Sequence, residues 1–190
     1  AFDLYNEEKV DEAIVLLREI DPSDEFDKAT VNRYLGSMYA QKENYADAIK
    51  YSKLAVAPDI LNFADHEQTL KLLGDLYAGT EKYKEAKKAY TAWMDFTGEE
   101  DPTVYTHIAQ ANFQLEQFSD VFEPANKAIA LQKEPNKGPY QLKLGAYFET
   151  KDFANMVKVG EEIVRVWPDD KKAWVGLGKY YLQTEEYQKG

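Results

Sequence analysis

Apolar residues recur along this chain at helical spacing, in paired runs separated by short polar breaks such as Gln41-Lys42-Glu43-Asn44 and Gly79-Thr80-Glu81-Lys82. Residues spaced this way share one face of a helix, so each pair of runs predicts a helical hairpin. Between the pairs stand breaks with stop and start chemistry: Asp21-Pro22-Ser23, Ala57-Pro58-Asp59, the segment from Gly98 to Pro102, Glu134-Pro135-Asn136 and Trp167-Pro168-Asp169-Asp170. Proline cannot continue a helix, and a neighbouring Asp or Ser can cap the next one. The pattern predicts helices near 1–6, 10–20, 25–41, 45–56, 65–78, 83–96, 102–115, 118–131, 137–149, 153–166, 171–183 and from 185 onward.

The hairpins also repeat. Tyr45, Tyr83, Phe118, Phe153 and Tyr187 form one aromatic ladder with steps of 38, 35, 35 and 34 residues. Tyr39, Tyr77, Asn112 beside Phe113, Tyr147 and Tyr181 form a second with the same steps, and both extend back by 35 to Val10 and Leu4. The long first step predicts extra residues around Pro58 to Ala64, in a longer loop or an extended helix.

Trp174-Val175-Gly176-Leu177-Gly178-Lys179-Tyr180-Tyr181 matches the first-helix pattern of a known repeat in full, and Tyr34-Leu35-Gly36-Ser37-Met38-Tyr39 and Leu72-Leu73-Gly74-Asp75-Leu76-Tyr77 match its core. Ala13, Ala48 and Ala86 stand in the alanine slot of the second helix, and Pro168 in the closing proline slot. These units resemble tetratricopeptide repeats. The resemblance implies an all-α, right-handed α-solenoid of about six hairpins, first and last incomplete, forming a single domain over 1–190 within a longer protein. A Gly on each first helix is expected to face an Ala on the second, letting the two backbones approach. The middle departs from the pattern, because Ala109 and Leu144 take the glycine slot while Val121 and Met156 take the alanine slot.

First helices of such a solenoid line its inner face, so residues one step beyond the glycine and tyrosine slots become candidates for a partner-binding groove. They are Thr30, Arg33, Ser37 and Ala40, then Gln68, Lys71, Asp75 and Ala78, then Thr103, Thr106, Gln110, Phe113 and Gln114. Gln141, Gly145, Phe148 and Glu149 follow, and after them Lys172, Val175, Lys179 and Gln183. Gln and Thr can bond a peptide backbone without demanding a particular side chain, while Phe113 and Phe148 could grip one apolar anchor or pack between repeats. Some tetratricopeptide domains hold a chaperone's C-terminal carboxylate with Lys and Asn. The corresponding slots here hold Arg33, Ser37, Leu72 and Gln68, which argues against that role.

Composition narrows the partner. Lys and Arg number 23 against 34 Asp and Glu, a formal net charge of -11, which disfavours nucleic acid and anionic lipid. With no cysteine there are no disulfides or thiolate sites, and no apolar run is long enough to span a membrane. His66 and His107 are the only histidines; His66, at a predicted helix start, suits capping or solvation. Glu99-Glu100-Asp101 and Glu185-Glu186 suit helix starts and make no acid/base pair, and Trp93, Trp167 and Trp174 suit packing. No phosphate loop or metal spacing occurs, so the expectation is a non-enzymatic scaffold with no cofactor that binds a protein or peptide. The alternative is a regulatory or substrate-recruiting segment of a larger enzyme. Exposed apolar residues at the two ends, including Phe2, Leu4, Tyr181 and Tyr187, make a homo-oligomer a further expectation. The acidic, cysteine-free, Tyr- and Gln-rich texture is similar to bacterial envelope tetratricopeptide proteins that accompany TonB and ExbB/ExbD systems. That similarity implies a periplasmic location, with the cytoplasm as the alternative.

Overall fold

The computed structural model of the protein describes residues 9–189, with side chains through Glu185. The expected helix at 1–6, with Phe2 and Leu4, and the side chain of Tyr187 lie outside the described residues. Regular structure among the described residues is entirely helical, as expected. The helices are α1 (Val10–Glu19), α2 (Glu25–Gln41), α3 (Tyr45–Val56), α4 (Phe63–Gly79), α5 (Tyr83–Thr97), α6 (Pro102–Gln114), α7 (Phe122–Leu131), α8 (Lys137–Glu149), α9 (Phe153–Val166) and α10 (Lys171–Lys189). They fall into two compact units, residues 1–99 and 100–190. Hairpins α2/α3 and α4/α5 belong to the first unit, α6/α7 and α8/α9 to the second.

Local chemistry fixes the helix ends. Side chains of Asp24, Asn44, Asn62, Asp101, Asn136, Asp152 and Asp170 each accept a backbone N–H from the first turn that follows. Capping by Asn62 starts α4 at Phe63, two residues before its expected start at 65, because Asp65 N–H donates to Asn62 Oδ1 at 3.0 Å. All four hairpin turns share one geometry. Glu43, Glu81, Glu116 and Lys151 have φ of 57°, 59°, 58° and 58°, and the next residue's N–H reaches back to the carbonyl of Tyr39, Tyr77, Asn112 or Tyr147 at 2.8–2.9 Å. That closure satisfies carbonyls the helix would otherwise leave open, and it fixes the second ladder at the joint of every hairpin.

Three further expectations are corrected. The helix expected over 118–131 opens with a 3-10 turn, Phe118–Val121, and becomes α-helical only from Phe122. Pro124 has no N–H to offer Asp120 and its ring crowds that carbonyl; buried Asn112 donates its side-chain amide to the Asp120 carbonyl instead, at 2.7 Å. A break at 184 is absent, and α10 runs through to Lys189, since the segment holds neither Pro nor Gly and Thr184 Oγ1 bonds the Tyr180 carbonyl within the helix at 2.9 Å. Glycines of the first helices do not meet the alanine slot but the residue one turn later. A Cβ on Gly36 would lie 2.4 Å from Ser52 Oγ, and one on Gly74 would lie 2.4 Å from the Tyr90 ring. In the second unit the equivalent second-helix positions hold Ala125 and Gly160, and a Cβ on Gly160 would lie 3.0 Å from Leu177 and from Tyr180 of α10.

The cores are local to each hairpin pair. Ala13, Ile14 and Leu17 of α1 pack with Leu35 and Met38 of α2, and Ala48 and Ile49 pack with Leu73, Leu76 and Ala89. Ala109, Val121, Ala125 and Ala146 form the counterpart in the second unit. His66 is not a cap but a buried ring stacked on Phe96 at a centroid distance of 4.5 Å. Trp93 and Trp167 pack as expected, whereas Trp174 is 52% exposed, held only at its edge by donating to the Pro168 carbonyl at 2.8 Å.

Candidate functional site

Adjacent first helices α6 and α8 of the second unit border an open cavity of about 300 Å³ lined by Thr106, Gln110, Phe113, Gly138, Gln141 and Leu142. Four of these six were expected groove residues. The fold explains their convergence. Asp101 caps α6 through the N–H groups of Thr103 and Val104 at 2.7 and 2.9 Å, and Pro102 sets the first turn, which fixes the phase of Thr106, Gln110 and Phe113 down one face. Asn136 caps α8 in the same manner and brings Gln141 opposite. Phe113 packs edge-on against Phe118 at 5.4 Å and lies over Gly145, where a Cβ would come within 2.8 Å of the ring. Gly145 therefore leaves the room that lets the Phe113 ring come up against α8 and line the cavity.

The walls are an apolar ring and a Leu flanked by two exposed amides, with Thr106 Oγ1 donating to the Pro102 carbonyl at 2.7 Å and keeping lone pairs for an incoming donor. A second cavity of about 330 Å³ shares Thr106 and is lined also by Thr103, His107, Gln132, Lys133 and Asn136. Together they offer amide and hydroxyl groups beside the charged Lys133 and Glu134, with an apolar notch at Phe113 and Leu142. Gly138 and Leu142 were missed by counting from the ladder; the Gly-Pro pair at the start of α8 was the cue, since it leaves no side chain to fill that corner.

Other expected residues behave differently. Arg33 reaches from α2 to α4, pairing with Asp65 at 3.2 Å while its guanidinium lies 4.1 Å over the Tyr34 ring. Lys71 and Asp75 turn to their own hairpin partner: Lys71 sits over the Trp93 ring at 5.0 Å, and Asp75 accepts from Tyr90 at 2.7 Å. Burial first, and then that bond, hold the Tyr90 phenol well above its ordinary value. Ser37, Gln68, Thr103, Gln114 and Lys179 are exposed. Phe148 is 51% exposed and meets Phe153 edge-on at 6.4 Å, so it does not join Phe113 in the cavity. Among the described residues no group of three or more His, Asp or Glu could hold a metal, and no helix is long and apolar enough to cross a membrane.

No protein-family model matches the chain, and no curated protein matches it in sequence. Its fold has solved counterparts. The crystal structure of MamA matches with a TM-score of 0.70 at 18% identity, over 84% of this chain and 84% of that one. The first TPR domain of Spaghetti (RPAP3) bound to the HSP90 peptide SRMEEVD matches with a TM-score of 0.51 at 27% identity, over 63% of this chain and 95% of that one. An NMR structure of the first TPR domain of human RPAP3 gives 0.53 at 26% identity, over 65% and 96%. The serial hairpins thus share the fold of tetratricopeptide domains.

Proposed function

We propose that this chain is a protein-interaction scaffold that holds an extended peptide segment along α6 and α8, with one apolar side chain seated against Phe113. The observation that carries this reading is the convergence of Thr106, Gln110, Phe113 and Gln141 on one cavity. A similar fold, that of the RPAP3 domain, has been solved with a peptide bound. Amide and hydroxyl groups address peptide carbonyls and N–H groups whatever the sequence, and the Phe113 notch supplies the selective contact. A few net hydrogen bonds at roughly 0.5–1.5 kcal/mol each plus one buried side chain correspond to about micromolar affinity.

In the first unit Arg33 is committed to Asp65 at 3.2 Å, and the exposed Ser37 and Gln68 carry no charge to meet a terminal carboxylate. A carboxylate-terminated chaperone tail therefore does not fit it. Affinity capture from native extract with wild type, with Gln110→Ala/Gln141→Ala and with Phe113→Ala/Gln110→Ala tests the reading. Both amides are exposed, so the first variant keeps the fold. Partners retained equally by folded variants of both kinds would refute a site at this cavity. Membership of a TonB-type envelope system, suggested by the sequence texture, is tested by fractionating the native cell: co-purification of TonB-system proteins from the periplasmic fraction supports it, and recovery with the cytosol removes it.

A further inference from the structure

On the opposite side of α8, helices α7, α8 and α9 border an open cavity of about 430 Å³ lined by Asn126, Ile129, Tyr140, Lys143, Glu162, Arg165 and Val166. We propose that this cavity is a binding site for a carboxylate carried on a short aliphatic chain. It uses none of the peptide-cleft residues and stands independently of that reading.

Burial makes the case. Lys143 is only 8% exposed and Tyr140 5%, yet neither the ammonium nor the phenol has a hydrogen-bond acceptor among the described residues. Lys143 forms an ion pair with Glu162 at 3.7 Å, longer than a hydrogen bond, and the Glu162 side chain is 46% exposed. Side chains this buried usually have a hydrogen-bond acceptor, and an acceptor for these two must come in through the cavity. Both side chains line the cavity, and neither polar atom is among those sealed from solvent without a partner. Burial first, and then the Glu162 charge, hold the Tyr140 phenol above its ordinary value, so it stays a donor at neutral pH.

The charges at the cavity are Lys143 and Arg165 against Glu162, a local positive surplus in a chain of net charge -11. Screening over about 8 Å at physiological salt keeps the remote acidic residues from cancelling it. Ile129 and Val166 supply walls that water wets poorly, so the site takes an anion with an aliphatic tail in preference to an inorganic one. The carboxylate accepts from the Lys143 ammonium and the Tyr140 hydroxyl, with Arg165 at the rim. A free small acid and the leucine-type C-terminus of another chain share this chemistry.

The test is an amide chemical-shift titration of the full chain with isocaproate, with neutral isocaproamide, and with a glycine-serine peptide ending in a free-carboxylate leucine. Expected for isocaproate are saturable shifts confined to α7–α9, weakened about tenfold or more by Lys143→Met and a few-fold by Tyr140→Phe. Methionine keeps the stem and volume of Lys143, and phenylalanine keeps the ring that packs edge-on against Trp167, so both variants preserve the fold. Binding of isocaproate alone assigns the site to a free acid, and binding of the peptide as well assigns it to a chain terminus. Equal shifts from isocaproamide, undiminished binding by a folded Lys143→Met, or shifts outside α7–α9 would overturn the proposal.

Discussion

Replacing Gly74 by alanine puts one methyl group where the hairpin α4/α5 has no room. Its Cβ would lie 2.4, 2.5 and 2.9 Å from Cε1, Cδ1 and Cζ of Tyr90, a wholly buried ring anchored by its hydroxyl to Asp75 at 2.7 Å. Carbon atoms prefer roughly 3.5–4.0 Å, so the ring must move by about 1 Å or the helices must part. Overpacking of this kind costs about 1–3 kcal/mol, and a weakened hydrogen bond to a carboxylate about 1.5 more, while alanine returns about 1 in helix propensity. The net expectation is destabilisation by about 2–3 kcal/mol, a fall of about 5–10 °C in Tm for a chain this size. Gly79→Ala, in the last turn of the same helix, has no atom within 4 Å of its new Cβ and is expected to be neutral or stabilising by up to about 1 kcal/mol. Thermal unfolding followed by circular dichroism compares the two. In a Tyr90→Ala background the penalty of Gly74→Ala should disappear, leaving a coupling of about 3 kcal/mol in the double-mutant cycle. A neutral Gly74→Ala, or strict additivity with Tyr90→Ala, would show that this contact does not set the approach of α4 and α5.

Asp101→Ala removes the acceptor for two N–H groups and should lower stability by about 1 kcal/mol in denaturant unfolding, with the loss confined to the second unit. Glu81→Gly should raise stability by about 0.5–1 kcal/mol, because a side chain at φ 59° is strained by more than the added freedom of glycine in the unfolded chain. Glu100 is held below its ordinary carboxylate value, first by the Tyr105 hydroxyl and then by Lys127, and Asp170 below its own, first by Lys137 and then by the Ala173 and Lys172 N–H groups. A depressed folded value contributes stability above the unfolded value and loses it as pH falls through the folded one. Melting temperature should therefore drop below about pH 4.5 for Glu100 and 3.8 for Asp170, and Glu100→Gln/Asp170→Asn should flatten that acid limb. Peptide SRMEEVD, seen bound to the RPAP3 domain, should leave the amides of 30–37 and 68–75 unshifted here, and saturable shifts there would show that Arg33 releases Asp65 for a carboxylate.

Helix order and most boundaries could be read from Pro22, Pro58, Pro102, Pro135 and Pro168 with their neighbouring caps, since start and stop chemistry is local. The facing pairs could not. Ala86 and Tyr90 lie one turn apart on the same side of α5, and periodicity does not say which of them meets Gly74. Lys71 and Asp75 occupy the expected register but are captured by Trp93 and Tyr90, contacts that depend on how deeply α5 seats against α4. Thr106, Gln110, Phe113 and Gln141 were legible because caps at Asp101 and Asn136 fix their phase, and the lining Leu142 reads as core in any apolar count. Lys143 gave no cue, because a lysine between Leu142 and Leu144 looks like the solvated edge of a helix until α7 and α9 close over it.

The four left-handed joints have a consequence for where the chain tolerates changes of length. Each closes by the same backbone bonds in the same register, so an inserted residue would rotate the following helix by about 100° and turn its buried stripe to solvent. Links between hairpins obey no such template: 57–62 is longer than 132–136, which is longer than 98–101 and 167–170, and the long step is shared between that first link and the 17-residue α4. A loop graft or epitope tag placed at 57–62 should leave the neighbouring hairpins intact, whereas the same insert at 42–44 should unzip one, so the links and not the joints are where this architecture can be lengthened.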